Sequence, residues 1–273
     1  MTDICLKKIS EQYGTPAFVF DVDMLQTRLQ SIKEIIGETI HLCYAIKANP
    51  FLIEANLTQV DNLEVCSPGE FAICKKLHVD MSTVILSGVN KTSEDIADAL
   101  DHHVGLYTAE SQLHVDLLNA AGKSRNQVLP VLLRLTSGSQ FGMDESVLRN
   151  VIANRGDYPF LSIEGIHYFV GTQRHKIAEQ QKELAELQLF CESVQSDYNF
   201  KIKKLEYGPG LAVPYFTCDN FEDTLYPLKE LAPQLQELAK SVHLTIEMGR
   251  FIVAECGYYM TTVMDTKTNK EVH

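Results

Sequence analysis

Eight short apolar segments, each followed by a turn or a helical segment, recur along the 273-residue chain. We predict strands at residues 41–46, 62–65, 83–86, 105–107, 128–135, 163–170, 202–207 and 242–246. Helices are predicted to begin near residues 68, 92 and 110, and longer ones to cover 174–194 and 226–240. Eight β/α units in a chain of this length predict an α/β fold, a (β/α)8 barrel of the TIM type. A doubly wound open sheet is the alternative, because a strand count from one sequence is easily wrong by one.

The charge and composition narrow the range of partners. The chain has 24 basic and 36 acidic residues, so its formal net charge is −12, which argues against nucleic acid or an anionic membrane as the main partner. No apolar run approaches the roughly 20 residues that span a membrane, and the N-terminus lacks the apolar core of a signal peptide. The 7 cysteines are scattered without a close CxxC pair. They predict reduced thiols in a cytoplasm, and neither a metal site nor a disulfide framework.

Polar residues and glycines cluster where the predicted strands end, which is where barrel enzymes carry their chemistry. They are Lys47, Glu64, Arg134, His167, Thr172, Gly208, Gly210, Glu247 and Arg250, with the aromatic Phe169 on the same strand as His167. Residues 167 and 169 face the same side of an alternating strand. We therefore expect these side chains to meet at one mouth of the barrel.

Lys47 follows the first predicted strand, which the Asn49-Pro50 pair ends. A lysine at the mouth of a buried strand loses its proton more easily through desolvation, and its free amine can attack a carbonyl to form a Schiff base. Gly208 and Gly210 would let backbone N–H groups approach an anion, and Arg250 would add a charge-assisted hydrogen bond to a phosphate.

Simpler explanations exist for several of these residues. The glycines could form an ordinary turn, Glu247 could belong to a surface ion pair, and His167 could be a packed, hydrogen-bonded core residue.

Five motifs follow one another between residues 13 and 262. They are Tyr-Gly-Thr-Pro-Ala-Phe-Val-Phe-Asp at 13–21, Tyr-Ala-Ile-Lys-Ala-Asn at 44–49, Glu-Val-Cys-Ser-Pro-Gly-Glu at 64–70, Gly-Ile-His-Tyr-Phe-Val-Gly-Thr-Gln at 165–173 and Glu-Met-Gly-Arg at 247–250. In this order they resemble the motifs of the group IV decarboxylases that depend on pyridoxal 5′-phosphate (PLP). That family has an alanine-racemase-like barrel and includes diaminopimelate, ornithine and arginine decarboxylases.

The resemblance implies the α-decarboxylation of an amino acid with PLP as cofactor. It implies that Lys47 holds PLP as a Schiff base, that Glu64 lies near this bond and that His167 is catalytic. Glu247 would face the pyridine nitrogen, and Arg134 the 3′-oxygen. The phosphate would be bound by Thr172, Gly208, Gly210 and Arg250, and the ring would stack on Phe169.

The chain departs from the family pattern at three positions. Phe169 replaces a histidine that usually stacks on PLP; it keeps an aromatic face but cannot transfer a proton. This change is similar to a branch of relatives that decarboxylate amino acids tethered to a carrier protein. Pro209 interrupts the usual triple glycine and removes one backbone donor. Gln140 replaces a common lysine.

The resemblance also implies a β-rich second domain that follows the barrel in relatives and completes the active site within a homodimer. We expect an N-terminal strand segment at 1–22, the PLP-binding barrel at 23–257 and the start of the β domain at 258–273. The strand at 17–21 would pair within that domain and have an unpaired edge without it. Without that domain, little or no CO₂ release is expected.

The expected partner is a small amino acid, either free or carrier-bound. Lysine, ornithine, arginine, diaminopimelate and carrier-bound glutamate are all compatible with the sequence. The alternative function is that of a non-catalytic PLP-binding or regulatory relative.

Overall fold

Ten strands are present in the computed structural model, which describes residues 1–216, 219 and 222–268. The strands are β1 (Ala17–Phe20), β2 (His41–Ala45), β3 (Asn62–Val65), β4 (Val84–Leu86), β5 (Leu106–Ala109), β6 (Leu129–Arg134), β7 (Leu161–Phe169), β8 (Lys204–Gly208), β9 (His243–Met248) and β10 (Gly257–Met260). Strands β2 to β9 are parallel and close into a barrel in chain order, with β9 paired to β2. This closure confirms the (β/α)8 barrel and excludes the open sheet.

Helices surround the barrel, and most of them connect one strand to the next. The described helices are α1 (Asp3–Tyr13), α2 (Val22–Ile36), α3 (Ile53–Asn56), α4 (Pro68–Lys76), α5 (Ser93–Asp101), α6 (Gln112–Arg125), α7 (Glu145–Ala153), α8 (Ile177–Tyr198), α9 (Tyr226–Leu238) and α10 (Arg250–Val253). None of the helices in the described ranges is long and apolar enough to cross a membrane. The predicted helices correspond to α4, α5, α6, α8 and α9, whereas α1, α2, α7 and the two short helices α3 and α10 were not predicted.

In the barrel strands, apolar side chains face outward toward the helices and several polar side chains face the interior. On β2, Leu42 and Tyr44 face outward and pack into the apolar core between strands and helices. Inward-facing positions on other strands carry buried polar groups instead, among them His167, Glu206 and Glu247. Because successive residues of a strand point to opposite faces, one sequence pattern builds both the apolar shell and a polar interior.

Outside the barrel, β1 and β10 form a two-stranded antiparallel sheet in which Ala17 lies opposite Met260. The strand predicted at 17–21 therefore has a partner on one edge, and that partner, β10, was not predicted. The last residues of the predicted third segment, 269–273, lie outside the described residues.

Candidate active site

Lys47 lies directly after β2, in a short 3-10 turn formed by Ile46–Ala48. Its ammonium Nζ is 2.9 Å from Oε2 of Glu64 and 3.0 Å from Oε1 of Glu247. Both carboxylates are buried inside the barrel, at the ends of β3 and β9. The structure thus brings together three residues that are up to 200 positions apart in the chain.

The charges of this cluster determine which of its groups hold protons. Burial alone would lower the pKa of the Lys47 ammonium, but Glu64 and Glu247 together raise that pKa above its ordinary value. The sequence-based idea that desolvation frees the amine is therefore wrong for the cofactor-free chain. Burial and the adjacent Glu247 raise the pKa of Glu64.

His167 and Phe169 on β7 complete the interior side of the site. Nε2 of His167 lies 3.2 Å from Oε2 of Glu247. Burial and the charge of Arg134 lower the pKa of His167 to about 3, so the ring is neutral at physiological pH. A neutral ring facing a carboxylate donates its Nε2–H to Glu247 and fixes the orientation of that group. The Phe169 ring centroid lies 5.0 Å from Lys47 Nζ, within cation–π range.

A cavity of about 340 Å³ opens above Lys47 and contains most of the predicted cofactor-binding residues. Phe169, Thr172, Gly210, Glu247 and Arg250 line it together with Lys47. Glu64 lies beneath the cavity, in contact with Lys47, as described above.

Two glycines allow the chain to pack closely beside this cavity, and Gly210 is the one that lines it. A Cβ at Gly208 would lie 2.3 Å from the Phe169 ring. Gly210 has φ +61°, and a Cβ there would lie 1.9 Å from the Gly171 carbonyl oxygen. Only glycine therefore fits at either position, because the Phe169 ring and the Gly171 backbone pack directly against the chain there, and residues 208–210 form a cradle of bare backbone beside the cavity.

Pro209 lies between these glycines, and its carbonyl oxygen is held from behind by α8 and the chain preceding it. Gln180 Nε2 donates to this oxygen at 2.7 Å, and Arg174 Nη1 at 3.4 Å. Arg174 is in turn paired with Glu183 at 2.9 Å. The bridge between Arg174 and Leu211 keeps the chain extended, which explains why α8 begins at Ile177 rather than at the predicted residue 174.

Of the predicted cofactor-binding residues, Arg134 and Gly208 lie outside the lining of this cavity. The Arg134 guanidinium pairs with Glu110 at 3.2 Å. Its Nε is buried without a hydrogen-bond partner in the described structure. Glu110 was not predicted as a site residue, although it directly follows β5 and therefore lies at the same mouth as the other strand-end residues.

Glu206 was also missed, although it is buried in the barrel interior. Its position could have been predicted from the alternation of side chains along a strand. Glu206 precedes Gly208 by two positions and so faces the same side of β8.

The residues present fit PLP better than a metal ion. Ligand atoms of Glu64, His167 and Glu247 lie within 4.8 Å of one another, a spacing that would suit a metal. The Lys47 ammonium, however, already lies against both carboxylates and supplies the positive charge there. A lysine side chain, a fixed carboxylate and a glycine cradle match the aldehyde, the ring nitrogen and the phosphate of PLP.

Comparisons with known proteins agree with this geometry. Residues 22–254 match a family model described as the pyridoxal binding domain of pyridoxal-dependent decarboxylases. The chain is 25% identical to a diaminopimelate decarboxylase of Aquifex aeolicus (strain VF5), over 99% of this chain and 67% of that protein. It is also 25% identical to the L-glutamyl-[BtrI acyl-carrier protein] decarboxylase of Niallia circulans. That match covers 96% of this chain and 66% of the relative.

A solved structure shares the fold. The crystal structure of a diaminopimelate decarboxylase from M. jannaschii, in complex with L-lysine, superposes with a TM-score of 0.84 at 21% identity. The match covers 96% of this chain and 67% of that one. The chain thus spans about two thirds of the length of these relatives.

Proposed function

The chain belongs to the pyridoxal-dependent decarboxylase family, whose pyridoxal-binding domain it carries, and from this premise we propose that it serves the PLP-dependent decarboxylation of an amino acid. The observation that carries the proposal is the Lys47 ammonium, held between Glu64 and Glu247 beneath a cavity with a glycine cradle. Such an enzyme is a lyase.

Each part of the cavity has a role toward the cofactor. Lys47 would hold its aldehyde carbon, and Glu247, oriented by His167, would keep a proton on the ring nitrogen. Gly208, Gly210, Thr172 and Arg250 would hold the phosphate, and Phe169 would pack against the ring. When bound, PLP supplies an electron-withdrawing ring that takes up the electron pair left when CO₂ departs. Arg134, held by Glu110, would act through its charge near the ring.

The protein itself controls where protons lie. Lys47 must lose a proton before it can act as a nucleophile, and Glu64 and Glu247 are in hydrogen-bond contact with it. The raised pKa of Glu64 makes that carboxylate a suitable acceptor. Phe169 lies beside the amine but cannot take a proton, so proton transfer at this position is assigned to Lys47 and Glu64.

The substrate is proposed as a small amino acid, either free or attached to a carrier protein. Two observations support the carrier-bound form as a second candidate. Phe169 departs from the usual histidine, and one of the relatives is named as a decarboxylase of a carrier-bound glutamyl group.

The cofactor role of Lys47 can be tested by adding PLP, reducing with borohydride and mapping pyridoxyl-lysine by peptide mass spectrometry. We expect the label at Lys47 and its loss in Lys47→Ala. Lys203→Ala is the matched control, because the Lys203 side chain is 63% exposed and distant from the cavity. A folded chain that carries no label at Lys47 would contradict the proposal.

Decarboxylation is tested by CO₂ release from carboxyl-labelled lysine, ornithine, arginine, diaminopimelate and carrier-bound glutamate. Release from one of them by this chain, or by a longer protein that contains it, supports the enzymatic function. Labelling of Lys47 without release from any of them in the longer protein would favour the non-catalytic, regulatory alternative.

The proposal extends to a homodimer in a reducing, cytoplasmic compartment, with residues 258–273 leading into a second domain. Phe18 and Tyr259 support a further interface, because their paired rings on the β1–β10 sheet are 73% and 60% exposed. The free thiols of the six described cysteines support the compartment.

A further inference from the structure

A second cavity opens at the opposite mouth of the barrel, where the strands begin. It measures about 390 Å³ and shares no lining residue with the cavity above Lys47. Its polar lining includes His41, Asp61, Lys204 and His243 at the rim. Glu206 lines the same cavity from β8, and its side chain is buried in the barrel, with 1% of the residue exposed.

Glu206 has no hydrogen-bond partner for either carboxylate oxygen among the described residues. The titratable groups that act on Glu206 across the barrel interior are Cys43 of β2, Glu64 of β3 and Glu247 of β9, with Lys47 beyond them. A thiol is only a weak donor, and the other two neighbours are carboxylates. A buried carboxylate in such surroundings is strongly destabilised while it is ionised and unpaired.

The cations described near this carboxylate cluster have other partners, and the Lys91 ammonium among them donates to the Gly88 carbonyl oxygen. Lys47 serves both Glu64 and Glu247, and Arg134 is paired with Glu110. His167 is neutral, because burial and Arg134 lower its pKa to about 3.

The groups facing Glu206 from the second cavity do not supply the charge either. Burial lowers the pKa of His243, so this ring is neutral at physiological pH, and His41 lies 3.9 Å from Asp61. Lys204 forms no ion pair with Glu206 within the described structure. A proton on Glu206 itself is the simplest way to remove the unpaired charge.

We propose that Glu206 is a neutral, protonated acid that exchanges its proton with water in the second cavity and acts as a proton reserve for Lys47, Glu64 and Glu247. Burial and the charges of Glu247 and Glu64 raise the pKa of Glu206 well above its ordinary value, in line with this assignment. The cavity is polar and large enough for several waters. Glu206 is a positioning residue, since it sets the charge of the cluster without lining the cofactor cavity.

The role in turnover rests on the proposed function, and its proton balance is simple. Decarboxylation removes CO₂ from Cα and places one proton there, so each turnover consumes one proton from the site. Because neither carboxylate oxygen of Glu206 contacts another described polar group, Glu206 would pass its proton to the carboxylates above it by way of water that enters from the second cavity, and would regain one from the same water. No oxidant, reductant or further reactant is needed.

The protonation state can be tested by infrared spectroscopy on the cofactor-free chain at pH 7. We expect a C=O band of a protonated carboxylic acid that is lost in Glu206→Gln and that shifts promptly in D₂O. Glu186→Gln is the control, because Glu186 is an exposed carboxylate on α8 and its loss should leave the band unchanged. If Glu206→Gln does not fold, Glu206→Asp should retain an acid band at a shifted frequency.

Three results would overturn the proposal. The wild-type chain could show no band that depends on Glu206. The band could shift in D₂O only on the time scale of global unfolding, which would exclude access from the cavity. The acid band could be absent while methylammonium raises the melting temperature, which would make the cavity a site for a small cation instead.

Coupling to Lys47 is tested on the PLP-loaded chain by titrating the cofactor absorbance with pH. Glu206→Gln should leave the spectrum at pH 7 unchanged and move the alkaline transition to lower pH, because ionised Glu206 would no longer stabilise positive charge at Lys47. An unchanged transition would overturn the reserve role. If the chain shows the acid band but does not bind PLP, the proposed function is contradicted. The protonation of Glu206 would still be established.

Discussion

Arg250 lies at the start of α10, at the edge of the cofactor cavity, with its guanidinium 5.2 Å from the Tyr215 ring centroid. A charge-assisted hydrogen bond to phosphate contributes about 1.5–3 kcal/mol, so Arg250→Ala should weaken PLP binding by roughly 10- to 150-fold. Pyridoxal, which lacks the phosphate, should bind the variant and the wild type alike in an absorbance titration. Arg125→Ala, a change in an exposed ion pair with Asp101, is the control. Equal losses for both ligands would contradict the assignment.

The sequence was sufficient to predict the residues that lie at strand ends and less informative about those inside the barrel. Lys47, Glu64, His167 and Glu247 follow from motifs, and the structure brings them into contact. Whether Glu206 faces the barrel interior depends on the register of β8. That register is set only by the pairing of β8 with β7 and β9. The protonation of Lys47 was predicted wrongly, because it depends on two carboxylates contributed by other strands.

At the scale of elements, α8 supports the glycine cradle from behind. Gln180→Leu would leave the Pro209 carbonyl with only the long Arg174 contact, and we expect a loss of about 1–3 kcal/mol in the free energy of unfolding. Gln188→Leu, on the exposed side of the same helix, should change it by less than about 0.5 kcal/mol. Urea unfolding measures both variants, and equal effects would mean that the contact with Pro209 contributes nothing specific.

The barrel strands were easier to predict than the helices or the β1–β10 sheet outside the barrel. The barrel strands are short apolar runs between turn residues, so their positions are visible in the sequence. Helix α2 was missed even though Asp21 accepts a hydrogen bond from Met24 N as its N-cap, because the preceding segment was assigned to a strand alone. Strand β10 forms only through its pairing with β1, about 240 residues earlier, which no local pattern shows.

At the scale of the whole molecule, the barrel has two functional ends joined by a polar interior. The upper cavity contains the groups that would hold PLP, and the lower cavity leads to a buried acid. The helices enclose this interior in a continuous apolar shell, which keeps the local dielectric low. Charges on Lys47, Glu64 and Glu247 therefore act on one another, and on the ionisation of Glu206, more strongly than they would in water.

This coupling predicts how the stability of the whole chain depends on pH. The raised pKa of Glu206 means that its contribution to stability is complete below 4.5, the ordinary value, and is lost as pH rises toward the folded pKa. His167 acts in the opposite direction, because its contribution is complete above 6.5 and is lost as pH falls toward about 3. Replacing Glu206 should therefore abolish only the loss of stability that occurs as pH rises above 4.5, and should leave the loss at low pH unchanged.

In urea unfolding across a pH series, the stability of Glu206→Gln relative to wild type should rise above pH 4.5 by up to about 1.4 kcal/mol per pH unit. Glu186→Gln should run parallel to wild type, since its carboxylate is exposed in an ion pair on α8. A constant difference between Glu206→Gln and wild type would mean that Glu206 ionises in the folded chain as it does in the unfolded one. A rising difference would show that the folded chain keeps a proton on Glu206 where the unfolded chain has lost it, which is the state a proton reserve beneath Lys47 requires.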